Sequence, residues 1–307
     1  RLASASVHAP WRAFSAAPRA ASSAWRLPVA FTAAARCRGM ATSGEAAPSE
    51  RKNAFENTTS PHPAWVPGGK QPVPYAGQHV ALRPEEVPGG CYHLMISSVV
   101  PRPIALCSTI SGDGQTFNLA PYSYFGAVSH DPPCVVVSIC RSGARGGGKK
   151  DTLVNAEATG ELCINIMSEW YVESANHCCG NYDPGVDEFE LSGLSKAPSK
   201  LIKAPRVAEA AVSLECKVRN LQEIENAQGK VTTTIVLAEV IMFHLHEGVY
   251  TPPPEGGKAT VDCEKLQPIS RLGGNTYGTS LTNFDLPRPD RAWQQKKEET
   301  DGGKDKA

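Results

Sequence analysis

The run from Ile104 to Ile110 is apolar except for Ser108 and Thr109. It ends on Ser111-Gly-Asp-Gly114, and a second strand-like stretch begins at Thr116. Glycines on either side of an aspartate let the backbone reverse within a few residues, so the two stretches predict an antiparallel hairpin. A lone hairpin is marginal in water. The chain around it must therefore supply further strands and complete an antiparallel sheet.

Those strands are legible downstream. Thr116 to Leu119 and Ser123 to Val128 read as strand segments interrupted at Pro121, which marks a bend or an edge. Asp131-Pro-Pro133 stops the second segment. Cys134-Val-Val-Val-Ser-Ile-Cys140 is a continuous, mostly β-branched run suited to a buried strand. Asp151 predicts the N-cap of a helix over Thr152 to Thr159, with Gly160 as its C-terminal cap. Glu161 to Ile166 is another strand, and a second helix starts near Ser168 with Trp170 and Tyr171. Val212 to Ile224 alternates apolar with polar residues, and Gly229 turns the chain into a long strand, Val231 to His246. Six or more strands with two short helices imply a mainly β fold, a closed or partly closed barrel with helical decoration.

The flanks read differently. Residues 1–44 hold six arginines, many Ala and Ser and no acidic residue. This pattern resembles an organellar transit peptide, while Met40 offers a second possible start that would leave the preceding residues untranslated. The first reading places the protein in a mitochondrion or another organelle; the second places it in the cytoplasm. Residues 45–87 are rich in Pro, Gly, Asn and Ser and read as a linker or arm. Residues 288–307 read as a charged, disordered tail with only Trp293 to bury. One domain, 88–287, remains.

Composition removes several function classes. Lys plus Arg and Asp plus Glu both number 31, so net charge gives no reason to expect nucleic acid or a membrane surface as partner. No apolar run approaches the ~20 residues that span a bilayer. Of the ten cysteines, Cys107, Cys134, Cys140, Cys163 and Cys216 lie in apolar runs and read as buried free thiols. No Cys-x-x-Cys exists, and neither His177-Cys178-Cys179 nor His244-x-His246 comes with a further ligand, so no metal site is expected. Gly143-Ala-Arg-Gly-Gly-Gly-Lys-Lys150 nearly matches a nucleotide-hydrolase phosphate loop, but Lys150 stands where a magnesium-binding hydroxyl is required. What remains is a phosphate-binding expectation: free loop amides, a positive helix end, and Arg141, Arg145, Lys149 and Lys150 nearby. A solvated basic loop is the competing reading.

A flavin ring needs apolar faces and a few polar groups along its pyrimidine edge. Asn118, the Ala120-Pro121 bend, Ser123, Tyr124 and Phe125 provide that inventory; an ordinary amphipathic hairpin with aromatic packing would use the same residues. Together, Pro101 to Thr109, Asn118 to Phe125, Ser129 to Pro133, Lys150-Asp-Thr152, Gly185 to Leu194 and Arg271-Leu-Gly-Gly-Asn-Thr-Tyr277 resemble, in order, the flavin reductase-like proteins. The resemblance covers about residues 88–287. It implies the FMN-binding split barrel, a Greek-key antiparallel barrel with a few short helices, assembled as a homodimer with one FMN per subunit near the interface.

Carried over by position, Ser108 and Thr109 would face the phosphate and ribityl chain, while Asn118, Ala120, Ser123, Tyr124 and Phe125 would line the ring. Ser138, Arg141, Lys150, Asp151 and Thr152 would complete the phosphate end, and Arg271 to Tyr277 would close over the site. The glycine-rich stretch from Arg145 to Lys150 departs from the family pattern and leaves its phosphate contacts open. The implied activity is an FMN-dependent oxidoreductase reduced by NADH or NADPH, with no protein side chain required as acid or base. An electron carrier or oxygenase component without its own nicotinamide activity is one alternative, and a non-catalytic interaction module is another.

Overall fold

A computed structural model describes residues 55–288, so the expectations for 1–44, for residues 45–54 and for nearly all of 288–307 lie outside the described residues. Seven strands form the central sheet: β1 (Ala105–Ile110), β2 (Phe117–Tyr122), β3 (Phe125–His130), β4 (Pro133–Cys140), β5 (Glu161–Ile166), β6 (Val212–Glu225) and β7 (Val231–Leu245). Their spatial order is β2-β1-β5-β6-β7-β4-β3, antiparallel throughout. The two edge strands are consecutive in the chain. Only Ser123 and Tyr124 separate them, so their ends lie within about 11 Å at ~3.8 Å per Cα step. Yet no ladder joins β2 to β3. The sheet curls nearly shut and stays split at that seam, giving a mainly β split-barrel architecture.

The expected hairpin is present. Gly114 takes φ +75°, open to glycine, and the Asp113 carboxylate accepts from Ser111 Oγ (2.5 Å) and the Gln115 N–H (3.1 Å) across the turn. Pro121 does not interrupt its strand; it sits inside β2, opposite Leu106 of β1. Because β2 is an edge, proline can stand there with no ladder donor lost on the open side.

Alternation along β1 sorts the core into two layers. Ala105 and Cys107 join Val137, Ile164, Leu214 and Val236 inside the barrel, while Leu106 packs outward with Leu119, Met167, Tyr171 and Phe189. Among the described residues five α-helices accompany the sheet: α1 (Tyr92–Ser98), α2 (Asp151–Thr159), α3 (Val172–His177), α4 (Glu188–Ser192) and α5 (Cys263–Leu266). Trp170 and Tyr171 lie in a short 3-10 turn just before α3. Gly160, at φ +67°, caps α2 as expected. Asp151 does not cap it: Asp151 is the first helical residue, Lys150 holds the cap position, and the Asp151 carboxylate is engaged by Arg145.

Cys107, Cys134, Cys163 and Cys216 are buried free thiols, but Cys140 is exposed at the last position of β4. His244 lies against the buried Glu215, whose carboxylate also accepts the N–H groups of Lys200 and Leu201 at 2.6 Å each. Before the domain, residues 58–83 form no helix or strand, and Glu56–Asn57 pair in parallel with Thr282–Asn283 near the other end. Among the described residues, no helix is long and apolar enough to cross a membrane.

Candidate functional site

A groove lies beside the seam. One cavity of about 290 Å³ lies against β2, the start of α2 and the Cys178–Pro184 segment. A second, of about 260 Å³, runs along the Ser123-Tyr124 crossing toward α1 and the Arg271–Tyr277 segment. Pro121, Tyr122, Lys150 and Cys179 line both, so the two cavities meet at a shared wall.

The first cavity is organised around one hydroxyl. Thr152, on the opening turn of α2, is buried, and its Oγ1 accepts from Asn118 Nδ2 and from the Tyr122 phenol, both at 2.9 Å. Burial pushes the Tyr122 hydroxyl well above its ordinary range, so it stays a neutral donor. The N–H groups of Asp151 and Thr152 precede the helical ladder and have no acceptor among the described residues. They leave a positive helix end at the cavity.

The basic residues expected around this loop divide. Arg145 forms a two-pronged ion pair with Asp151, 2.7 Å on each side, and this pairing raises the guanidinium's hold on its proton. Lys149 turns to Glu157 at 2.7 Å. Lys150 makes no ion pair among the described residues; its ammonium lies 5.7 Å over the Tyr122 ring. It is the cation left available. The glycine loop itself is not an open cradle. Gly146, Gly147 and Gly148 donate to Gly143, Ser142 and Arg145 carbonyls, so their amides are committed within the turn. The amides of these three glycines are therefore not free, while the helix end retains the unbonded N–H groups of Asp151 and Thr152.

Of the proposed ligand-binding residues, Asn118, Ala120, Asp151 and Thr152 line the first cavity, Ser123, Tyr124 and Ser138 the second, and Lys150 both. Four line neither cavity. Ser108 and Thr109 are neighbours on β1 and point to opposite faces, so they cannot both face one ligand. Ser108 donates to the Pro205 carbonyl at 2.5 Å, and Thr109 accepts from Asn155 at 3.0 Å. Phe125 packs against the inner core. Arg141 reaches Glu223 at 2.8 Å, and its Nη1 is buried without a partner among the described residues.

Several lining residues were missed. Tyr122 looks in sequence like one more inward aromatic, and only its phenol reaching Thr152 gives it away. Glu188 looks like a solvated acid, yet it is buried, and its carboxylate accepts the Leu119 N–H of the open β2 edge at 2.9 Å. Burial pushes its carboxyl upward, with the Leu119 N–H opposing. Arg102, beside the second cavity, carries no sequence signal beyond the Pro101-Arg-Pro103 block.

The sequence profile described as the flavin reductase like domain matches residues 96–257. An uncharacterized Bacillus subtilis protein, YwrF, is 35% identical over 198 residues, 64% of this chain and 93% of its own length. The crystal structure of nitrilotriacetate monooxygenase component B from Bacillus cereus superposes with a TM-score of 0.63 at 32% identity, over 69% of this chain and all of the other. A split-barrel-domain protein of Shewanella frigidimarina matches at 22% identity and TM-score 0.52, over 64% of this chain and 90% of its own, a likeness that shows the fold alone. A split barrel, a groove at its seam and a profile match across more than half its length converge: the chain belongs to the flavin reductase-like family of flavin-related oxidoreductases.

Proposed function

We propose that the protein is an FMN-dependent oxidoreductase that takes hydride from NADH or NADPH and works as a homodimer. The observation that carries this reading is a conjunction at one groove: the unbonded amides of Asp151 and Thr152, the unpaired Lys150 and the open edge of β2. A dianionic phosphate suits the first two, since a helix start and an ammonium both favour negative charge. The backbone of Asn118 to Tyr122 and the apolar face of Pro121 suit a flat ring with a polar edge. Bound flavin would supply the hydride chemistry. The chain's own residues bind and orient: Thr152 fixes Asn118 and Tyr122, Glu188 occupies the Leu119 N–H, and Arg145 offsets the negative charge of the Asp151 carboxylate beside the anion site. The exposed Phe243 and Ile224 on the long β6–β7 hairpin supply apolar surface for a second subunit.

The test is an equilibrium titration of the full chain with FMN, followed by NADH or NADPH without oxygen. Expected are tight FMN binding, bleaching of the flavin bands by nicotinamide, and twice the chain mass by light scattering. Lys150→Ala should weaken FMN about tenfold, the scale of one charge-assisted contact, while the melting curve of the flavin-free chain stays in place. Unchanged FMN affinity in that variant would remove the phosphate from this helix end. Flavin that binds but bleaches only with dithionite would make the chain a carrier instead.

A further inference from the structure

We propose that residues 65–82 are an arm that each subunit lays across α1 of a second copy of this chain. The inference rests on the preceding reading only for the presence of that copy; it adds which segments are exchanged. The arm leaves its own domain and returns to it. At one end Glu56–Asn57 pair with Thr282–Asn283, and the Thr58 N–H donates to the Asn283 carbonyl at 2.8 Å. At the other, a 3-10 turn at Pro84–Glu86 leads toward α1, and Cys91 Sγ donates to the Pro84 carbonyl at 3.4 Å. Between these attachments every residue from 61 to 86 is exposed. Residues 59–82 hydrogen-bond only among themselves among the described residues.

A solvated connection of this length is expected to carry charge, and this one carries little. Residues 58–83 contain no Asp or Glu, and their Lys and Arg are Lys70 and Arg83 alone. They hold instead Trp65, Val66, Val73, Tyr75, Val80 and Leu82, all exposed, Tyr75 at 77% and Val80 at 82%. Single exposed apolar side chains are ordinary on a surface. A run of them with so little charge and two aromatics has the composition of an interface core. Pro61, Pro63, Pro67, Pro72 and Pro74 stiffen the segment, so less chain entropy is lost when it is laid on a surface. Trp65 is oriented in advance as well: its Nε1 donates to the Gly69 carbonyl at 2.8 Å.

The matching half is α1. A helix of a globular domain turns its apolar face inward, yet α1 buries only Ile96. Tyr92 and Met95, three residues apart, share an outward face, and Leu94, Val99 and Val100 are exposed beside them. Residues 92–100 contain no Asp, Glu, Lys or Arg. Each chain thus presents an uncovered apolar strip and an uncovered apolar helix face. Exchange about a two-fold axis covers both twice with one kind of contact and closes at two copies. An unrelated partner would need a complement for each surface; a second copy already carries both. Size agrees, since residues 65–82 and 92–100 together match the roughly 20–30 residues per partner of a standard interface. Reach agrees too. Out and back, residues 58–83 extend roughly 40 Å at ~3.1 Å per residue, against a radius of gyration of about 16 Å for a domain of ~200 residues.

The test is sedimentation velocity of the full chain over a dilution series, with cross-linking of the native chain beside it. Trp65→Ala combined with Tyr75→Ala should weaken the dimer at least about tenfold, the scale of a lost aromatic anchor. Met95→Glu on α1 should weaken it comparably. Arm and helix substitutions combined should cost less than the product of their separate effects, because the two segments touch. Should a variant fail to fold, the native chain still decides. In an equal mixture of isotopically light and heavy chains, a photoreactive cross-linker carried on Lys70 should join Lys70 of one label to residues 92–100 of the other. A dimer indifferent to the arm and Met95 substitutions, effects that multiply in full, or Lys70 cross-links confined to one label would each overturn the arm and leave the homodimer standing. A monomeric native chain would overturn both. FMN binding is read separately by absorbance, so its failure would end the flavin reading without touching the cross-link result.

Discussion

Thr152 places one oxygen where two buried donors need it. Thr152→Val keeps the shape of the side chain but leaves Asn118 Nδ2 and the Tyr122 phenol without their acceptor. Stranded buried donors cost about 1–3 kcal/mol each. Thr152→Val should therefore lower unfolding stability by about 2–4 kcal/mol in urea denaturation, and Thr152→Ser should restore most of it. Glu188 makes a pH prediction. Its folded-state value is raised above the ordinary 4.5, chiefly by burial, so the stability it contributes is fully present below 4.5 and is lost as pH rises through the raised value. Glu188→Gln cannot ionise. Relative to the native chain, this variant should gain stability as pH climbs from below 4.5 toward neutrality. A pH-independent difference in denaturation free energy would contradict that. At this scale the sequence was half readable. Asn118, Lys150 and Thr152 stand out because polar groups interrupt an apolar strand or open a helix. Glu188 and Arg102 do not, because nothing local distinguishes a buried charge from a solvated one.

The elements were more legible than the residues, since a strand's period and a turn's glycine are local properties. Val212 to Ile224 alternates, and the strand observed is Val212–Glu225; Gly160 reads as a helix stop and takes φ +67°. The Gly160 conformation carries its own test. A Cβ there would meet nothing within 4 Å, so Gly160→Ala isolates the backbone cost of the left-handed region, about 1 kcal/mol. Gly160→Asn should cost less, because asparagine tolerates that region. A steric cause would reverse the order, penalising the larger side chain. Where elements were misread, a distant partner was responsible. Asp151 has the composition of a cap, but Arg145 engages its carboxylate; the glycine loop has the composition of a phosphate cradle, but the amides of Gly146, Gly147 and Gly148 close on the loop's own carbonyls. Pro121 signalled an edge correctly, although whether the strand continued through it depended on β1 lying alongside.

On the scale of the whole molecule, the seam connects architecture to chemistry. A fully closed barrel would have paired β2 with β3 and covered the backbone edge beside Tyr122. Leaving the barrel split exposes that edge where α2 begins, and neither feature alone makes a site. The sequence could not reveal this closeness, because β2 and α2 are separated by β3, β4 and the glycine loop. A ligand that bridges them should behave as a clamp between the sheet and the helix. Since it binds only the assembled groove, FMN at a hundredfold excess over its Kd should add about 2.7 kcal/mol to unfolding stability. For a domain of this size that is a rise of about 5–10 °C in melting temperature. The rise should follow the logarithm of free FMN. In Lys150→Ala, with about tenfold weaker binding, the curve should keep its slope and shift by about 1.4 kcal/mol. A melting temperature indifferent to FMN would mean that the groove binds no such bridge. A rise equal in both chains would mean that flavin binds where Lys150 does not reach, and the seam would then have to be explained without it.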